Sequence, residues 1–580
     1  MSEAVEQLST VLEGMGAPSA LAPRLATALG PGAAARLDAN PWLLLRLPQV
    51  TVEQADFCAR RHLGEGARPD DPRRLAEFTA HVLRMSAARG HTAVEERRLA
   101  TVVGKLGVAD PAAALEAAVA DGAAVVLESL DEGDDDFDFT EGGVPELPDP
   151  ERFYALPDVG RAEQRLGGQL LRLIGGNDPI MDSATAAETV DATAEAHGFT
   201  LSEQTREALV TVALRPVTVL RHGPGEADEV ARALVCMEAI ATDSQVGMAL
   251  AAPTAQTAAA VNADLARVRT PDDDASPVAA LSLARLLEQA PLKAGLVVLC
   301  EAMSVGTARA AELASVCADG AHLVLLADPD QAPSAAPGQV VLDVAASRVA
   351  HTARVAGTGR PGPIAELAAA VAGGGVPEVS APEREVVRVP AASAEEAAHR
   401  VVQLVTDSIP RALGIDAAHV QVVAAREDGP AGARALNAAC KERLNPGPGA
   451  HGGFDPGDRV VLTAQGPGYG PGDTGHLREV GGKAVVELDD GRRVEVADPS
   501  ALRPGWAVAV AAAHGGRWPA VVAVFPPQVP VSRPQVYTVL TRAVRHVSLV
   551  DATGGALETG VRENPARERT TRLVRILREG

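Results

Sequence analysis

The chain has 580 residues, of which 46% are hydrophobic but only 2% aromatic, and its formal net charge is −23. That length predicts about three to five domains, and the acidic balance excludes a surface that wraps nucleic acid as a whole, since phosphate binding needs Lys and Arg, although a local basic patch stays open. The opening MSEAVE has neither the basic nor the apolar part of a signal peptide, and no apolar run reaches the ~18–20 residues of a membrane span, so a cytoplasmic protein with no membrane partner is expected.

Residues 1–130 read as helical, with Leu and Ala at helical spacing in "SALAPRLATALG" and "DPRRLAEFTAHVLRMSAARG". Residues 131–158 read as an acidic and Pro-rich linker, opening on "DEGDDDFDFTEGG". From Val217 short apolar runs alternate with helical segments. Strands are expected at Val217–Leu220, Val246–Ala251, Gly295–Leu299, His322–Leu326 and Gln339–Leu342, and a second such region, starting near Val387, includes His419–Ala425. Strands separated by helices predict parallel sheets covered on both faces, an α/β fold. Residues 454–502 differ: short alternating runs broken by Gly and Asp-Gly turns predict a small antiparallel barrel. Residues 503–580 return to α/β, with strands at Ala520–Phe525 and His546–Ala552.

Several stretches carry possible chemistry. "VTVLRHGPGEADEV" runs from an apolar strand into a glycine turn, Gly223-Pro224-Gly225, and then a helix, the frame of a phosphate-binding loop. "LAAPTAQTAAAV" follows at Leu250–Val261, "LVVLCEAMSVG" at Leu296–Gly306, "LVLLADPDQAPSAAPG" at Leu323–Gly338 and "VYTVLTRAVRHVSLVD" at Val536–Asp551. Near the N-terminus stand Asn40-Pro41-Trp42 and Gly90-His91. In this order, over some 540 residues, the stretches resemble a RecD-like helicase of superfamily 1, the long form with an N-terminal helix-hairpin-helix region. The resemblance implies a helical N-terminal domain (1–130), a first RecA-like parallel-sheet domain with leading helices (159–345), and a second one in two parts (346–453 and 503–580). Between those parts it implies an SH3-like β-barrel (454–502). The second hairpin of the N-terminal region has Gln49 and Thr51 where glycines are expected.

The resemblance also assigns roles. Gln204 would read the adenine edge. Gly223, Pro224, Gly225, Asp228 and Glu229 occupy the phosphate loop. Pro253 and Thr254 would grip single-stranded DNA. Glu301 would orient the attacking water, Asp328 and Gln331 would link nucleotide to DNA, and Arg542 would face the γ-phosphate. The loop lacks the chemistry of phosphoryl transfer, which rests on positioning and charge neutralisation. Asp228 stands at the lysine, Glu229 at the Mg²⁺-binding hydroxyl, Ala227 at the last glycine and Cys300 at the Mg²⁺-binding aspartate. Exchanging attraction for repulsion ~4 Å from a phosphate swings the site by about 8 kcal/mol at an effective dielectric near 20. At "VAVAAAHGGRWPAVV" Ala512, His514 and Arg517 replace Lys, Gln and Glu, and near residue 360 the expected Arg-Gln pair is missing, Arg360 being the nearest arginine. Without a phosphate, Arg542 needs another anion, and Asp228 or Glu226 is the expected partner.

Thirteen histidines show no paired-ligand spacing, and there is no Gly-x-Ser-x-Gly, so neither a metal site nor a hydrolase triad is expected. The cysteines, Cys58, Cys236, Cys300, Cys317 and Cys440, form no CxxC pair and read as inert thiols of a reducing compartment. Three functions follow. The first is a non-hydrolysing RecD-like homologue in DNA metabolism, with no cofactor and with single-stranded DNA, duplex junctions or proteins as partners. The second is an active ATP-dependent 5′→3′ DNA helicase, which alone would need ATP and Mg²⁺. The third is a protein-interaction scaffold without DNA.

Overall fold

The computed structural model describes residues 3–129, 151–176, 178–270, 277–449, 452–481, 483–527 and 530–580, so the acidic run at 131–143 lies outside the described residues. Two compact units emerge: Met1–Gln164 with Ala336–Gly338 and Arg569–Arg572, and Arg165–Ala335 with Gln339–Glu568 and Leu573–Gly580.

The first unit is built from short helices, among them Glu3–Gly14, Ala22–Leu29, Val52–Leu63 and Pro72–Ala87. Their apolar faces meet in a core that includes Leu8, Leu12, Leu25, Leu37, Trp42 and Phe78. The Asn40-Pro41-Trp42 motif is a helix start. The Asn40 side chain accepts the Trp42 N–H (3.2 Å), and the buried Trp42 indole donates to Asp56 (2.8 Å). Thr51, standing where a hairpin glycine is expected, caps the helix Val52–Leu63 in a reciprocal box with Gln54.

This unit is not wholly helical. Strands β1 (Val94–Glu95), β2 (Val125–Ser129) and β3 (Glu151–Ala155) form an antiparallel sheet with β3 in the centre. Residues 151–155, expected in the Pro-rich linker, are drawn into it by the buried Tyr154 and Ala155. Gly90 has φ +95°, and a Cβ there would lie 2.3 Å from the Arg569 guanidinium carbon. The next residue, His91, accepts the Thr570 N–H through Nδ1 (2.9 Å). Buried Glu163 accepts from the Thr92 hydroxyl (2.8 Å) and the Arg572 N–H (2.9 Å).

The second unit holds two parallel sheets. The first comprises β4 (Val217–Arg221), β5 (Met248–Ala252), β6 (Ala280–Ser282), β7 (Leu296–Leu299), β8 (His322–Ala327) and β9 (His351–Arg354), in the order β6-β5-β7-β8-β4-β9. Both faces are covered, which is why the central strands β7 and β8 are buried along their whole length rather than alternating. Val217, Val219, Leu323 and Leu325 pack into one helical layer, and Leu220, Val324 and Leu326 into the other. The segment Gln339–Leu342, expected as a strand, belongs instead to the helix Val340–Ser347, because Val340, Val341 and Val344 share a buried helical face. The edge strand, on the side of β4 away from β8, is β9.

The second sheet starts with β10 (Val386–Pro390) and β11 (Val420–Ala424). An antiparallel sheet of β12 (Arg459–Leu462), β13 (Thr474–Val480), β14 (Ala484–Leu488), β15 (Arg493–Val496) and β16 (Leu502–Pro504) interrupts it, in the order β15-β14-β13-β12-β16. Then β17 (Ala507–Ala509), β18 (Trp518–Phe525) and β19 (Ala543–Asp551) complete the second parallel sheet as β10-β19-β18-β11-β17. Four helices of this unit matter below: α1 (Ala227–Asp243), α2 (Ala255–Val268), α3 (Pro363–Ala372) and α4 (Arg533–Leu540). We refer to the two parallel-sheet parts as the first and second lobes. Among the described residues, no helix is long and apolar enough to cross a membrane.

Candidate functional site: the cleft between the lobes

Ligand crevices of parallel sheets form beyond the carboxyl ends of the strands. Here the segments leaving β4, β7 and β8 line a cavity of about 510 Å³ together with α3 and the turn between α4 and β19. Gly223, Pro224, Gly225, Asp228, Glu301, Asp328, Gln331 and Arg542 all line it, so most of the residues expected at a nucleotide do converge.

The loop after β4 turns on Gly225, whose φ is +79° and where a Cβ would lie 2.7 Å from the Ala365 side chain of α3. Only glycine fits both the backbone and the contact. The helix start behind the loop favours negative charge, and the chain supplies its own. The Glu226 carboxylate accepts the Gly223 N–H (2.5 Å), with Arg354 at 3.9 Å. Asp228 lines the cavity but pairs at the surface with Arg267 (2.7 Å), 63% of its side chain being exposed. Glu229 is buried away from the cavity, accepting from the Ser202 N–H (3.4 Å) and Arg232 (3.2 Å). Its expected place at the phosphate loop is corrected by these partners: its carboxylate turns to Ser202 and Arg232 and does not line the cavity.

At the end of β7, Cys300 is buried and its thiol is pushed up by burial. Glu301 follows with φ +49°, a left-handed conformation uncommon for a side-chain-bearing residue. Its carboxylate meets the Arg542 guanidinium at 3.4 Å. Burial opposes its ionisation, but Arg542, His222, Arg517 and His514 together hold it down at about 2. This pair corrects the expectation that Arg542 binds Asp228 or Glu226. Arg542, 1% exposed, also donates to the carbonyls of Gly516 (3.1 Å) and Thr538 (3.2 Å). Buried Asp328 accepts the Tyr537 hydroxyl (2.8 Å) and the Asp330 N–H (3.2 Å), and burial raises its pKa. Gln331 is 3% exposed, and its side-chain oxygen has no hydrogen-bond partner among the described residues.

Other expected residues lie elsewhere. Gln204 is exposed on the first turn of the helix Glu203–Leu214, and it does not line the cavity. Arg360 is exposed and does not line it either; Arg354, leaving β9, reaches Glu226 instead. Thr254 caps α2 by accepting the Thr257 N–H, and Pro253 beside it is half-buried. The next N–H, of Ala255, donates to buried Asp473 of the antiparallel sheet (2.6 Å), which also accepts from Gly470 N (2.8 Å). Burial pushes Asp473 up to about 6. Sequence reasoning missed Asp264, Arg267, Tyr537 and Asp473, and it noted Arg517 only as a substitution. Arg517 lines the cavity and pairs with Asp264 of α2. Among the described residues no group of three or more His, Cys, Asp or Glu is placed to hold a metal ion.

Residues 1–93 match the family model of the HHH domain of ATP-dependent RecD2 DNA helicases. Over 558 residues the chain is 27% identical to the ATP-dependent RecD2 DNA helicase of Deinococcus radiodurans, an alignment spanning 92% of this chain and 72% of that protein. Among solved structures it is similar to a Pif1 helicase from Bacteroides in complex with ADP-AlF3 and ssDNA. That match has 13% identity and a TM-score of 0.36, and covers 61% of this chain and 93% of the other. The Pif1 helicase from Candida albicans is matched with 13% identity and a TM-score of 0.35, covering 65% and 97%. The chain is thus similar at its N-terminus to the HHH domain of RecD2 DNA helicases and over nearly its full length to a RecD2 DNA helicase.

Proposed function

We propose that this RecD-like homologue binds DNA, as single strand or at a duplex junction, without hydrolysing ATP, and serves as a DNA-binding or assembly component. The carrying observation is the loop after β4, where the Glu226 carboxylate already takes the Gly223 N–H. The residues around it do not fit a nucleoside triphosphate with Mg²⁺. Asp228 brings a negative charge where a cation is needed, Glu229 turns away, and the buried thiol of Cys300 stands where a hard cation needs oxygen. The DNA half of the reading rests on the match of residues 1–93 to a helicase HHH domain and on the relative named above as a DNA helicase.

Fluorescence anisotropy with labelled single-stranded and forked DNA, over a salt series with and without ATP and Mg²⁺, tests it alongside an ATP turnover assay. Affinity that falls with salt, ignores ATP and comes without turnover is expected. Absence of DNA affinity at low salt would leave the scaffold reading in its place. A second reading, an active 5′→3′ helicase, draws on the convergence of Glu301, Asp328, Gln331 and Arg542 on one cavity. DNA-stimulated turnover that Arg542→Ala abolishes would establish it.

A further inference from the structure

Many polar bonds cross the cleft away from the phosphate loop. Three residues of α2 in the first lobe hold the turn before β18 in the second. The Gln256 amide accepts the Arg517 N–H (3.0 Å) and donates to the Arg517 carbonyl. The Thr257 hydroxyl donates to the Gly515 carbonyl (2.5 Å), and the Arg517 guanidinium meets the Asp264 carboxylate. The His514 ring bonds the Ala332 carbonyl, whose own N–H donates to the Thr538 hydroxyl of α4 (2.7 Å). Tyr537–Asp328 and Arg542–Glu301 complete the row. Gln256, Thr257, Asp264, His514, Thr538 and Arg542 are all buried.

We propose that the chain latches its own two lobes shut, with Arg517 as the latch, so that the spacing of the cleft does not depend on nucleotide. Two further observations agree. Gly225 of the first lobe approaches α3, whose Leu367, Ala368 and Val371 lie in the core of the second lobe, so closely that an added Cβ would lie 2.7 Å from the Ala365 side chain. And the segment at 512–517 has exchanged the residues of the family it resembles: two of the three replacements, His514 and Arg517, make bonds across the cleft. Ion pairs and hydrogen bonds in a desolvated seam are strong because the local dielectric is low. Opening the lobes would break them together. The inference goes beyond the proposed function, since a chain that does not hydrolyse ATP can have either a mobile or a latched cleft.

The test is a distance measurement by double electron–electron resonance between spin labels at Lys293→Cys in the first lobe and Arg411→Cys in the second. Both positions are exposed, whereas all five native cysteines are buried. One narrow distance distribution is expected, unchanged by a non-hydrolysable ATP analogue with Mg²⁺ or by a dT oligonucleotide. Arg517→Ala combined with Gln256→Ala is expected to add a longer-distance population, and Arg517→Lys to add less. If the double variant fails to fold by circular dichroism, Asp264→Asn takes its place. A wild-type distribution that is bimodal, or that shifts with nucleotide, overturns the latch. So does a folded latch variant with an unchanged distribution. DNA affinity is not read in this experiment, so failure of the latch and failure of the DNA-binding reading are separately visible.

Discussion

The Arg542 guanidinium and the Glu301 carboxylate, 241 residues apart in the chain, meet at 3.4 Å with their side chains 1% and 13% exposed. An ion pair this dry is held by its partners rather than by water, and removing one member strands the other. Arg542→Ala should therefore destabilise the second unit by about 3–5 kcal/mol. Arg542→Ala with Glu301→Gln should recover part of that loss. Urea denaturation of the four members of the cycle measures the coupling.

Stability should respond to acid in two opposite ways. Glu301 moves from an ordinary 4.5 to about 2 in the fold. Its contribution, on the order of 3 kcal/mol, is present above pH 4.5 and is lost as pH falls through 2. Asp473 moves the other way, from 3.8 to about 6, because of burial. Between those values the native state holds the extra proton, so stability rises as pH falls from 6 toward 3.8. Urea midpoints across this range should show a maximum on the acid side of neutrality. Asp473→Asn should flatten the upper limb and leave the lower one; an unchanged upper limb would mean that Asp473 does not titrate as its burial implies.

Gly225→Ala should cost about 1–3 kcal/mol, since it adds backbone strain to a steric clash. Adding Ala365→Gly should relieve the clash but not the strain, giving partial recovery of the thermal midpoint. Full recovery would show that the close approach to α3 is the whole of the constraint.

Asp228→Lys should destabilise the fold by about 0.5–2 kcal/mol, chiefly because it puts a cation at a helix start that favours an anion. Its pair with Arg267 is exposed, and exposed pairs contribute little. Under the proposed function the added lysine should also leave ATP turnover absent, because Glu226 still takes the Gly223 N–H. Turnover gained from this single change would point to a site one residue short of activity.

How legible the molecule was depended on the range of the interactions. The strands β4, β7, β8, β11 and β18 announced themselves, because a strand buried on both faces needs an apolar, β-branched run. "QVVLDVAAS" carries such a run and became a helix, since its valines also satisfy a helical face and the core offers that face a place. The short strands β6, β9 and β17 have too few residues to show a period. The convergence of Gly223, Glu301, Asp328 and Arg542 on one cavity was readable from motif order. Their partners were not. Asp264 and Arg517 are separated by 253 residues, and nothing local to either marks the other. Nor does the sequence around Glu229 show that its carboxylate turns to Ser202, 27 residues away, and to Arg232.

The Gln256 side chain takes both the N–H and the C=O of Arg517, as a neighbouring strand would. It is in effect one rung of a ladder, contributed by a helix. The path of the backbone at 517 is therefore set independently of the side chain there. A change of charge at that position leaves both of these backbone bonds available. Path and charge are thereby separated at this turn: the helix sets the one, and the side chain at 517 the other.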